Sequence, residues 1–371
     1  MVHSLQQVMI EEMKRQPMQA LTFARWMELH LYHPKWGYYQ KERQHFGKEG
    51  DFFTNVHVGE VFGKVLSQAI YRLSGPVGLK EPWALVEMGS GDGRLAEQVV
   101  TGLLEKGVSP DSFHLILVET SPFLRERQKE RFHALPVSCQ WAGRISELPR
   151  YPFSIVYSNE LVDAFPVHRI RCVAGKPHEI YVTVDPESLT FQETLGPLST
   201  ADIGEYLQVF RIALDEGQTI EVNLQAYEWL KEVANWIETG YLLTIDYGGT
   251  TEELVVPERR NGTIRYIKQH RLLSNPYEDV GEVDVTSHVN FSSLMRWGEE
   301  WGLQTLSFQT QAKFLIEEGI LDWYPKNRLI DPFSSESKQQ RAIQQLIHPY
   351  GMGEVFRVLL QVKRRGCPMK I

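Results

Sequence analysis

One stretch of sequence decides the fold: Ala84-Leu-Val-Glu-Met-Gly-Ser-Gly-Asp-Gly-Arg-Leu95. Its apolar first half predicts a strand, and apolar residues that recur at helical spacing after it predict a helix that ends at Gly107. Between the strand and the helix, Gly89, Gly91 and Gly93 let the backbone turn tightly and approach a ligand, because glycine has no Cβ. The sequence therefore predicts a nucleotide-like cofactor at this turn.

The spacing of the glycines separates two classes of cofactor. A dinucleotide fingerprint requires its third glycine at position 94, where this chain has Arg94. An acid followed by three alternate glycines, from Glu87 to Gly93, instead resembles the first motif of class I S-adenosylmethionine (SAM) methyltransferases. That resemblance implies a loop that packs on the methionine half of SAM. A plain glycine turn of an α/β sheet is the alternative for this motif taken alone.

The next strand supports the cofactor interpretation. Apolar residues from His114 to Val118 predict a strand that ends at Glu119, 30 residues after Gly89. An acid at this position suits the two ribose hydroxyls of a nucleotide. Ser121 and Pro122 then predict the start of a helix that runs to about residue 132. The alternative for Glu119 is an interaction with the positive end of that helix.

Composition and charge limit the class of protein. The chain has 371 residues, of which 42% are apolar, and this is enough for a large core in one or two domains. Its formal net charge of −8 argues against a general binder of nucleic acids or anionic membranes. A small-molecule or protein substrate is favoured. The oligomeric state stays open, with a homodimer among the alternatives.

The cysteines and the N-terminal sequence bear on the cellular compartment. Cys139, Cys172 and Cys367 lie far apart, and neither a Cys-x-x-Cys pair nor a histidine cluster has metal spacing, so we expect free thiols and no metal. The N-terminal residues lack the apolar core of a signal peptide, and Glu11 and Glu12 do not fit a mitochondrial presequence. No apolar run approaches the ~18 residues of a membrane helix. We therefore expect a cytoplasmic protein.

The remaining pattern predicts an α/β fold with a doubly wound sheet of seven strands. We expect residues 1–80 to form a helical N-terminal extension that carries a flap over the cofactor. We expect residues 81–371 to form the α/β core. Segments at about 167–220 and 250–290 interrupt the α/β alternation, and we interpret both as insertions, the first with antiparallel strands. A place in the hydrophobic core is the alternative for the aromatic residues of the flap, which are Trp36, Tyr38, Tyr39 and Phe52.

Polar residues follow the predicted fourth strand, Phe153 to Ser158. Asn159, Glu160 and Asp163 come directly after it. Ligands bind at the carboxyl ends of the strands in a doubly wound sheet, so we expect chemistry here. The alternative is helix capping by Asn159, with the acids favouring a helix N-terminus.

Taken together, the motifs resemble one family, the MidA-like SAM-dependent methyltransferases, which includes the mitochondrial protein-arginine methyltransferase of respiratory complex I assembly. The resemblance covers nearly the whole chain. The chain departs from the family pattern after Thr54, where the family commonly has a small residue, then proline or another short residue, and then glutamate, and this chain has Asn55-Val-His57. The motifs that carry it are Gly37-Tyr-Tyr39, Gly50-Asp-Phe-Phe-Thr54, Glu87 to Gly93, Glu119-Thr-Ser-Pro122, Asn159-Glu-Leu-Val-Asp-Ala-Phe-Pro166, Asp246-Tyr-Gly248, Gly262-Thr263, Gly281-Glu-Val-Asp-Val-Thr286, Thr310-Gln-Ala-Lys-Phe-Leu315 and Met352-Gly-Glu-Val-Phe-Arg-Val-Leu359.

The resemblance implies a class I (Rossmann-like) seven-stranded methyltransferase core, SAM as the methyl donor and an arginine of a protein as one acceptor. Flap and core residues together are then expected to bind the cofactor. These residues are Gly50, Asp51, Phe52, Thr54, Glu87, Gly89, Ser90, Gly91, Gly93, Glu119, Thr120 and Asn159.

An arginine acceptor is positively charged and must be oriented and lose a proton, and carboxylates serve both purposes. We predict Glu160, Asp163 and Asn159 as catalytic residues. A SAM-binding assembly factor without activity and a small-molecule methyltransferase are the alternatives, whereas the glycine spacing disfavours a nicotinamide-dependent oxidoreductase. Further candidates for acceptor chemistry are Asp246, Asp284 and His288.

Overall fold

The computed structural model describes residues 4–41, 59–75, 82–325, 331 and 334–366. The contacts of the chain divide it into two units. Unit 1 comprises Met1–Phe52, Val162–Trp229 and Gly248–Leu294, and unit 2 comprises Phe53–Leu161, Leu230–Tyr247 and Met295–Ile371. Unit 1 thus joins the larger part of the N-terminal segment to both interrupting segments. The domains expected from the sequence, 1–80 and 81–371, stay a prediction.

The described residues form both helices and strands throughout the chain. The α-helices are Leu5–Lys14, Phe23–Tyr32, Val61–Ser74, Arg94–Glu105, Pro122–Phe132, Ala201–Val209, Leu224–Trp236, Thr251–Leu254, Phe291–Glu300, Gln311–Glu317, Ser335–Ile347 and Met352–Val355. The strands are β1 (Ala20–Thr22), β2 (Trp83–Met88), β3 (Phe113–Val118), β4 (Ser138–Ala142), β5 (Ser154–Asn159), β6 (His168–Val173), β7 (Lys176–Val184), β8 (Phe191–Gly196), β9 (Thr219–Val222), β10 (Gly240–Gly249), β11 (Arg265–Lys268), β12 (Arg271–Leu272), β13 (Asp284–Thr286), β14 (Val289–Asn290), β15 (Leu303–Thr310) and β16 (Phe356–Lys363). In this described part of the chain, none of the helices combines the length and the apolar character needed to span a bilayer.

Unit 2 is built on the predicted sheet. Its strands follow the order β15-β16-β10-β5-β2-β3-β4, with β10 contributing its first eight residues. Neighbouring strands are parallel, except that β16 runs antiparallel to both β10 and β15. The chain starts in the middle at β2 and builds outward first through β3 and then through β5. The carboxyl ends of β2 and β5 therefore form a switch point of the sheet, where ligands bind in doubly wound folds.

Helical periodicity buries one face of the helix Arg94–Glu105 against this sheet. Leu95, Val99 and Leu103 recur at intervals of four and are 3% exposed or less. The next helix, Pro122–Phe132, begins as predicted, since the Oγ of Ser121 accepts from Leu124 N at 3.5 Å and proline occupies the first turn. Both elements are set by local signals, which explains why the sequence predicts them well.

Unit 1 is built on antiparallel strands. β1, β7, β6 and β9 follow one another in one sheet, with β8 also on β7, and β12, β11 and β13 form a second. The antiparallel strands expected after residue 167 are present as β6, β7 and β8. The expectation of a helical N-terminal extension over residues 1–80 misses β1. This strand has three residues and exists through its pairing with Tyr181–Thr183, about 160 residues later, so no local pattern reveals it.

The aromatic residues of the N-terminal segment pack largely as core. Tyr38 and Trp26 are fully buried in the hydrophobic cluster of unit 1. Trp36 stacks on the His33 ring at 4.9 Å between ring centroids. For Tyr38 the core alternative of the sequence analysis is therefore the observed one.

A buried histidine links the helix Phe23–Tyr32 to the segment before β13. His30 Nε2 lies 2.7 Å from the carbonyl oxygen of Val283, and its Nδ1 accepts from the backbone N–H of Gly281 at 3.2 Å. These partners require the neutral tautomer with the proton on Nε2. Burial lowers the pKa of His30 to about 4.

This histidine makes unit 1 sensitive to acid. Because its folded pKa lies below its usual value of 6.5, the unfolded chain binds more protons between pH 6.5 and about 4, and stability falls as pH falls through this range. One such group contributes at most about 3 kcal/mol to the free energy of unfolding. We expect His30→Gln to flatten the fall in the free energy of unfolding measured with urea between pH 7 and 4. His178→Gln, on β7 of the same unit, is the control, and an equal acid dependence in all three proteins would contradict the assignment.

Candidate functional site

The glycine loop between β2 and the helix Arg94–Glu105 adopts a backbone that only glycine takes without strain. Gly89, Gly91 and Gly93 have φ values of 68°, 54° and 78°. A Cβ on Gly89 would lie 2.6 Å from Cδ1 of Leu161. The loop is therefore bare peptide pressed against the turn that follows β5.

The end of β3 anchors this loop. Gly89 and Ser90 both donate their backbone N–H to the carbonyl oxygen of Val118, at 2.9 and 3.4 Å, and Gly93 N donates to Ser90 O at 2.8 Å. The three bonds fix the turn before the helix begins. They hold the tight turn that the glycine pattern predicts.

Glu119 joins the glycine loop to the next helix. Its Oε2 accepts from Gly91 N at 3.0 Å, and its Oε1 accepts from Ser121 N at 2.9 Å. Burial raises the pKa of Glu119, and these backbone N–H groups oppose the rise. The backbone N–H of Thr120 also hydrogen-bonds to this carboxylate, which keeps acceptor capacity for a hydroxyl donor. The next residue, Thr120, is exposed.

Gln128 is a residue of this site that the sequence reasoning missed. It is fully buried, and its Nε2 donates to Ser90 Oγ at 3.0 Å and to Gly91 O at 2.7 Å. Arg131, one turn later, donates from Nε to Asp92 O at 2.9 Å. In the sequence Gln128 is one polar residue of a polar helix, and only its burial on the loop reveals its role.

We expect Gln128→Ala to destabilise the protein by about 2 kcal/mol, because it leaves a hydroxyl and a carbonyl of the loop without their donor. The free energy of unfolding, measured with urea, checks this. Glu130→Ala, at an exposed position of the same helix, is the control and should change stability by less than about 0.5 kcal/mol. Equal effects of the two substitutions would show that Gln128 does not support the loop.

Glu87 lies beneath the loop, inside the protein. It is 3% exposed and its Oε2 accepts from Tyr157 Oη at 3.3 Å. Burial raises its pKa well above the usual value, with the charges of Asp92 and Glu119 acting in the same direction. A positive ligand group nearby would favour its charged form.

The turn after β5 carries Asn159, Glu160 and Leu161. Asn159 Nδ2 donates to Glu160 Oε1 at 3.1 Å, and its buried Oδ1 has no hydrogen-bond partner among the residues that the structure describes. Glu160 has a φ of 52°, a left-handed value that costs energy in a residue with a side chain. Asp246, fully buried within β10, accepts from Leu161 N at 3.2 Å. Asp246 thus holds the backbone of this turn.

These features of unit 2 fit the cofactor expected from the sequence. The glycine loop presents peptide without side chains, Glu119 has lone pairs for ribose hydroxyls, and the Oδ1 of Asn159 is a buried acceptor in need of a donor. All three features come from the carboxyl ends of β2, β3 and β5, at the switch point of the sheet.

The other predicted acids belong to unit 1. Asp284, which is 3% exposed, accepts from Tyr39 Oη at 2.7 Å. The pKa of Tyr39 is raised well above 10, first by burial, then by the charge of Asp284, with that of Asp163 also contributing. Asp163 is 4% exposed, and its backbone carbonyl accepts from Ser287 N at 2.9 Å. The structure thus brings Asp163 and Asp284 to the same tyrosine.

Two groups of candidates from the sequence analysis remain: His288, which the structure describes, and the flap residues, which it does not. His288, in unit 1, lies 3.2 Å from a guanidinium nitrogen of Arg259, and burial, with Arg265 and Arg259, lowers its pKa to about 3. At neutral pH this imidazole is uncharged and a weak proton acceptor. Four predicted flap residues lie outside the described part of the chain: Gly50, Asp51, Phe52 and Thr54.

Comparison with known families identifies the class of protein. The family model described as "Putative S-adenosyl-L-methionine-dependent methyltransferase" matches residues 65–309, which is most of the chain. The chain belongs to this family. It is therefore a SAM-dependent methyltransferase, and the class I core and the SAM cofactor predicted from the glycine loop are confirmed.

Curated relatives span nearly the whole chain. The "Protein arginine methyltransferase NDUFAF7 homolog, mitochondrial" of Drosophila melanogaster is 30% identical over 91% of this chain and 80% of its own length. The corresponding Bos taurus protein, "Protein arginine methyltransferase NDUFAF7, mitochondrial", is 28% identical over 92% of this chain and 80% of its own length. The MidA-like resemblance stated from the motifs is thus confirmed.

A solved structure matches the whole fold of this methyltransferase. It is a protein from Burkholderia thailandensis bound to S-adenosyl-homocysteine, with a TM-score of 0.85 and 28% identity over 98% of this chain and 93% of that one. S-adenosyl-homocysteine is the product that remains when SAM has given up its methyl group. This structure covers nearly the whole chain and contains the reaction product, so it supports SAM as the cofactor of the family.

The expectation of a cytoplasmic protein is wrong on these comparisons. The curated relatives from fly, fish and cattle are all named mitochondrial. The expectation rested on Glu11 and Glu12 and on the missing signal peptide, and those features describe only the first residues of the given sequence.

Proposed function

We propose that this methyltransferase transfers the methyl group of SAM to an arginine side chain of a protein substrate. The names of the curated relatives, which are protein arginine methyltransferases, support this acceptor. The observation that carries the proposal is the placement of two nearly buried carboxyl groups, Asp163 and Asp284, beside Tyr39 in unit 1. Carboxylates bind a guanidinium group well, because it supplies five donors in one plane.

In unit 2, residues of the glycine loop and the strand ends hold the cofactor. The backbone of Gly89, Ser90, Gly91 and Gly93 contacts the methionine portion, and Glu119, next to Thr120, accepts from the ribose hydroxyls. The hydrogen bonds of Gly91 and Gln128 to their neighbours keep this surface in place before the ligand arrives, which lowers the entropy cost of binding. Bound SAM supplies a methyl group on a positively charged sulfur.

Glu87 and Asn159 complete this cofactor role. Glu87 is buried with a raised pKa, so the positive amino group of the methionine portion would favour its ionisation. The buried Oδ1 of Asn159 is an acceptor. The turn from Asn159 to Leu161 also positions the glycine loop, because the Leu161 side chain packs against Gly89. Strain at Glu160 is consistent with a turn shaped by function.

The acceptor chemistry requires orientation and one proton transfer. A guanidinium nitrogen forms a bond to the methyl carbon as the bond from carbon to sulfur breaks, and the methylated arginine releases one proton to a carboxylate. We propose that Asp163 and Asp284 orient the guanidinium and that Asp163 takes the proton, whereas a catalytic role for Glu160 and Asn159 stays a prediction. Tyr39, whose raised pKa keeps it protonated, fixes Asp284 by donating to it. That the protein binds neither nucleic acid nor membrane stays a prediction, and its oligomeric state stays open, with a homodimer among the alternatives.

A transfer assay tests the acceptor. Purified protein and tritiated SAM are added to a lysate of cells that lack this protein, and labelled proteins are mapped by mass spectrometry. We expect label on arginine in a protein that stays unlabelled without the enzyme. Label on a small molecule, or on another side chain, would overturn the arginine proposal. No label in any extract would favour a SAM-binding assembly factor instead.

A further inference from the structure

Unit 1 contains a pocket that the proposed methyl transfer does not use. Its volume is about 510 Å³, within the range of ligand sites. Charged and aromatic side chains line it, from β6, β8 and the segment 259–288. The residues that matter here are Arg169, Glu193, Arg259, Arg265, Tyr277 and His288.

One carboxylate of the pocket is already neutralised. The guanidinium of Arg169, which is 6% exposed, forms an ion pair with Glu193 through Nη1. Tyr277 Oη also donates to Glu193 at 3.0 Å, and Arg171 Nη2 lies 3.8 Å from its other oxygen. The buried Nε of Arg169 has no hydrogen-bond partner within the described ranges. Glu193 therefore leaves no negative charge to balance further arginines.

Two more arginines line the pocket without an acidic partner. Arg259 contacts the Nδ1 of His288 at 3.2 Å, and this histidine is neutral because its pKa is about 3. Neither Arg259 nor Arg265 forms an ion pair with another residue in the part of the chain that the structure covers. A second carboxylate, Glu221, accepts from both N and Oγ1 of Thr263 at 2.8 Å. The pocket thus carries a surplus of positive charge.

The sequence around the pocket extends this charge along a strand and a hairpin. Residues 259–273 contain five arginines and lysines and no acidic residue, in a chain of net charge −8. β11 and β12 form the hairpin, in which Arg271 is exposed and Leu272 is 71% exposed. A cavity of this size that continues onto a basic, partly apolar hairpin suits several side chains in a row better than one small anion.

We propose that this pocket and hairpin bind an acidic segment of the protein substrate, with carboxylates of that segment on Arg259 and Arg265. This inference rests on the proposed function, since it assumes that the methyl acceptor is a protein. The segment binds away from the methylated arginine and selects which protein is presented. Charge-assisted bonds from planar guanidinium groups give this selection its strength.

The test uses the full-length protein and a fluorescein-labelled hexaglutamate peptide, with binding followed by fluorescence anisotropy. We expect the wild type to bind the peptide and the binding to weaken with added NaCl. The double variant Arg259→Gln/Arg265→Gln should bind about a hundredfold more weakly, about tenfold for each charged donor lost. Arg15→Gln, at an exposed position of unit 1 outside the pocket, should bind like the wild type.

Calorimetry with S-adenosyl-homocysteine on the same samples separates this proposal from the proposed function. We expect unchanged affinity for the nucleoside in the double variant, which also shows that it is folded. Equal peptide binding by wild type and double variant would overturn the inference. Competition by inorganic phosphate at these arginines without any peptide binding would overturn it as well. Failure of the proposed function would look different, with pocket-dependent peptide binding but no methyl transfer to protein by the wild type.

Discussion

Gly89→Ala is expected to lower the affinity for S-adenosyl-homocysteine about a hundredfold, or about 3 kcal/mol. A side chain at φ 68° costs about 1–2 kcal/mol, and its Cβ would lie 2.6 Å from Leu161 Cδ1. The loop must then move, and the moved backbone no longer matches the ligand that it approaches. Isothermal titration calorimetry of the wild type and the variant measures the difference.

A second glycine supplies a matched control. Gly107 has a φ of 81°, and a Cβ built on it meets nothing within 4 Å. Gly107→Ala should therefore cost the same strain, about 1–2 kcal/mol of the free energy of unfolding, without a loss of affinity. Binding by Gly89→Ala within twofold of Gly107→Ala would show that the loop does not contact the cofactor.

Asp163→Asn is expected to lower the rate of methyl transfer by a factor of about 100 or more, the usual contribution of a general base. Asparagine has the same shape, so the backbone bond from Ser287 to residue 163 is kept, whereas the proton acceptor is lost. The affinity for S-adenosyl-homocysteine should stay the same, because the proposed cofactor contacts come from other residues. Turnover of tritiated SAM with the identified substrate gives the rate.

Asp202→Asn, an exposed acid of unit 1, is the control for charge and should leave turnover unchanged. Asp284→Asn is the informative companion, because it removes the negative charge that Tyr39 contacts. If Asp163→Asn turns over within twofold of Asp202→Asn, Asp163 is not the proton acceptor. The cofactor assignment would survive that result, because it depends on other residues.

The sequence predicts those elements of the fold that local signals determine. The apolar run before Gly89 and the Ser121-Pro122 start give β2 and the helix Pro122–Phe132 nearly to the residue. β1 is missed because three residues have no period of their own and become a strand only through β7. The sheet order follows from rules of connection, which is why seven strands with one switch point can be expected beforehand.

The sequence predicts those site residues whose type the chemistry requires. It does not predict residues whose role depends on a contact with a distant part of the chain. Glycines at a turn and an acid after the second strand are visible in sequence. Gln128 becomes informative only through its bonds to Ser90 and Gly91, 38 and 37 residues away. Asp284 is only a further candidate in the sequence. Its hydrogen bond with Tyr39, 245 residues away, places its carboxylate near the same tyrosine as Asp163.

The most direct test of the central claim is a crystal structure of this protein with S-adenosyl-homocysteine. We expect the nucleoside across the carboxyl ends of β2 and β3, with its homocysteine portion on Gly89–Gly93 and both ribose hydroxyls within hydrogen-bond distance of the Glu119 carboxylate. Nucleoside bound elsewhere, or ribose hydroxyls held by a residue other than Glu119, would contradict it.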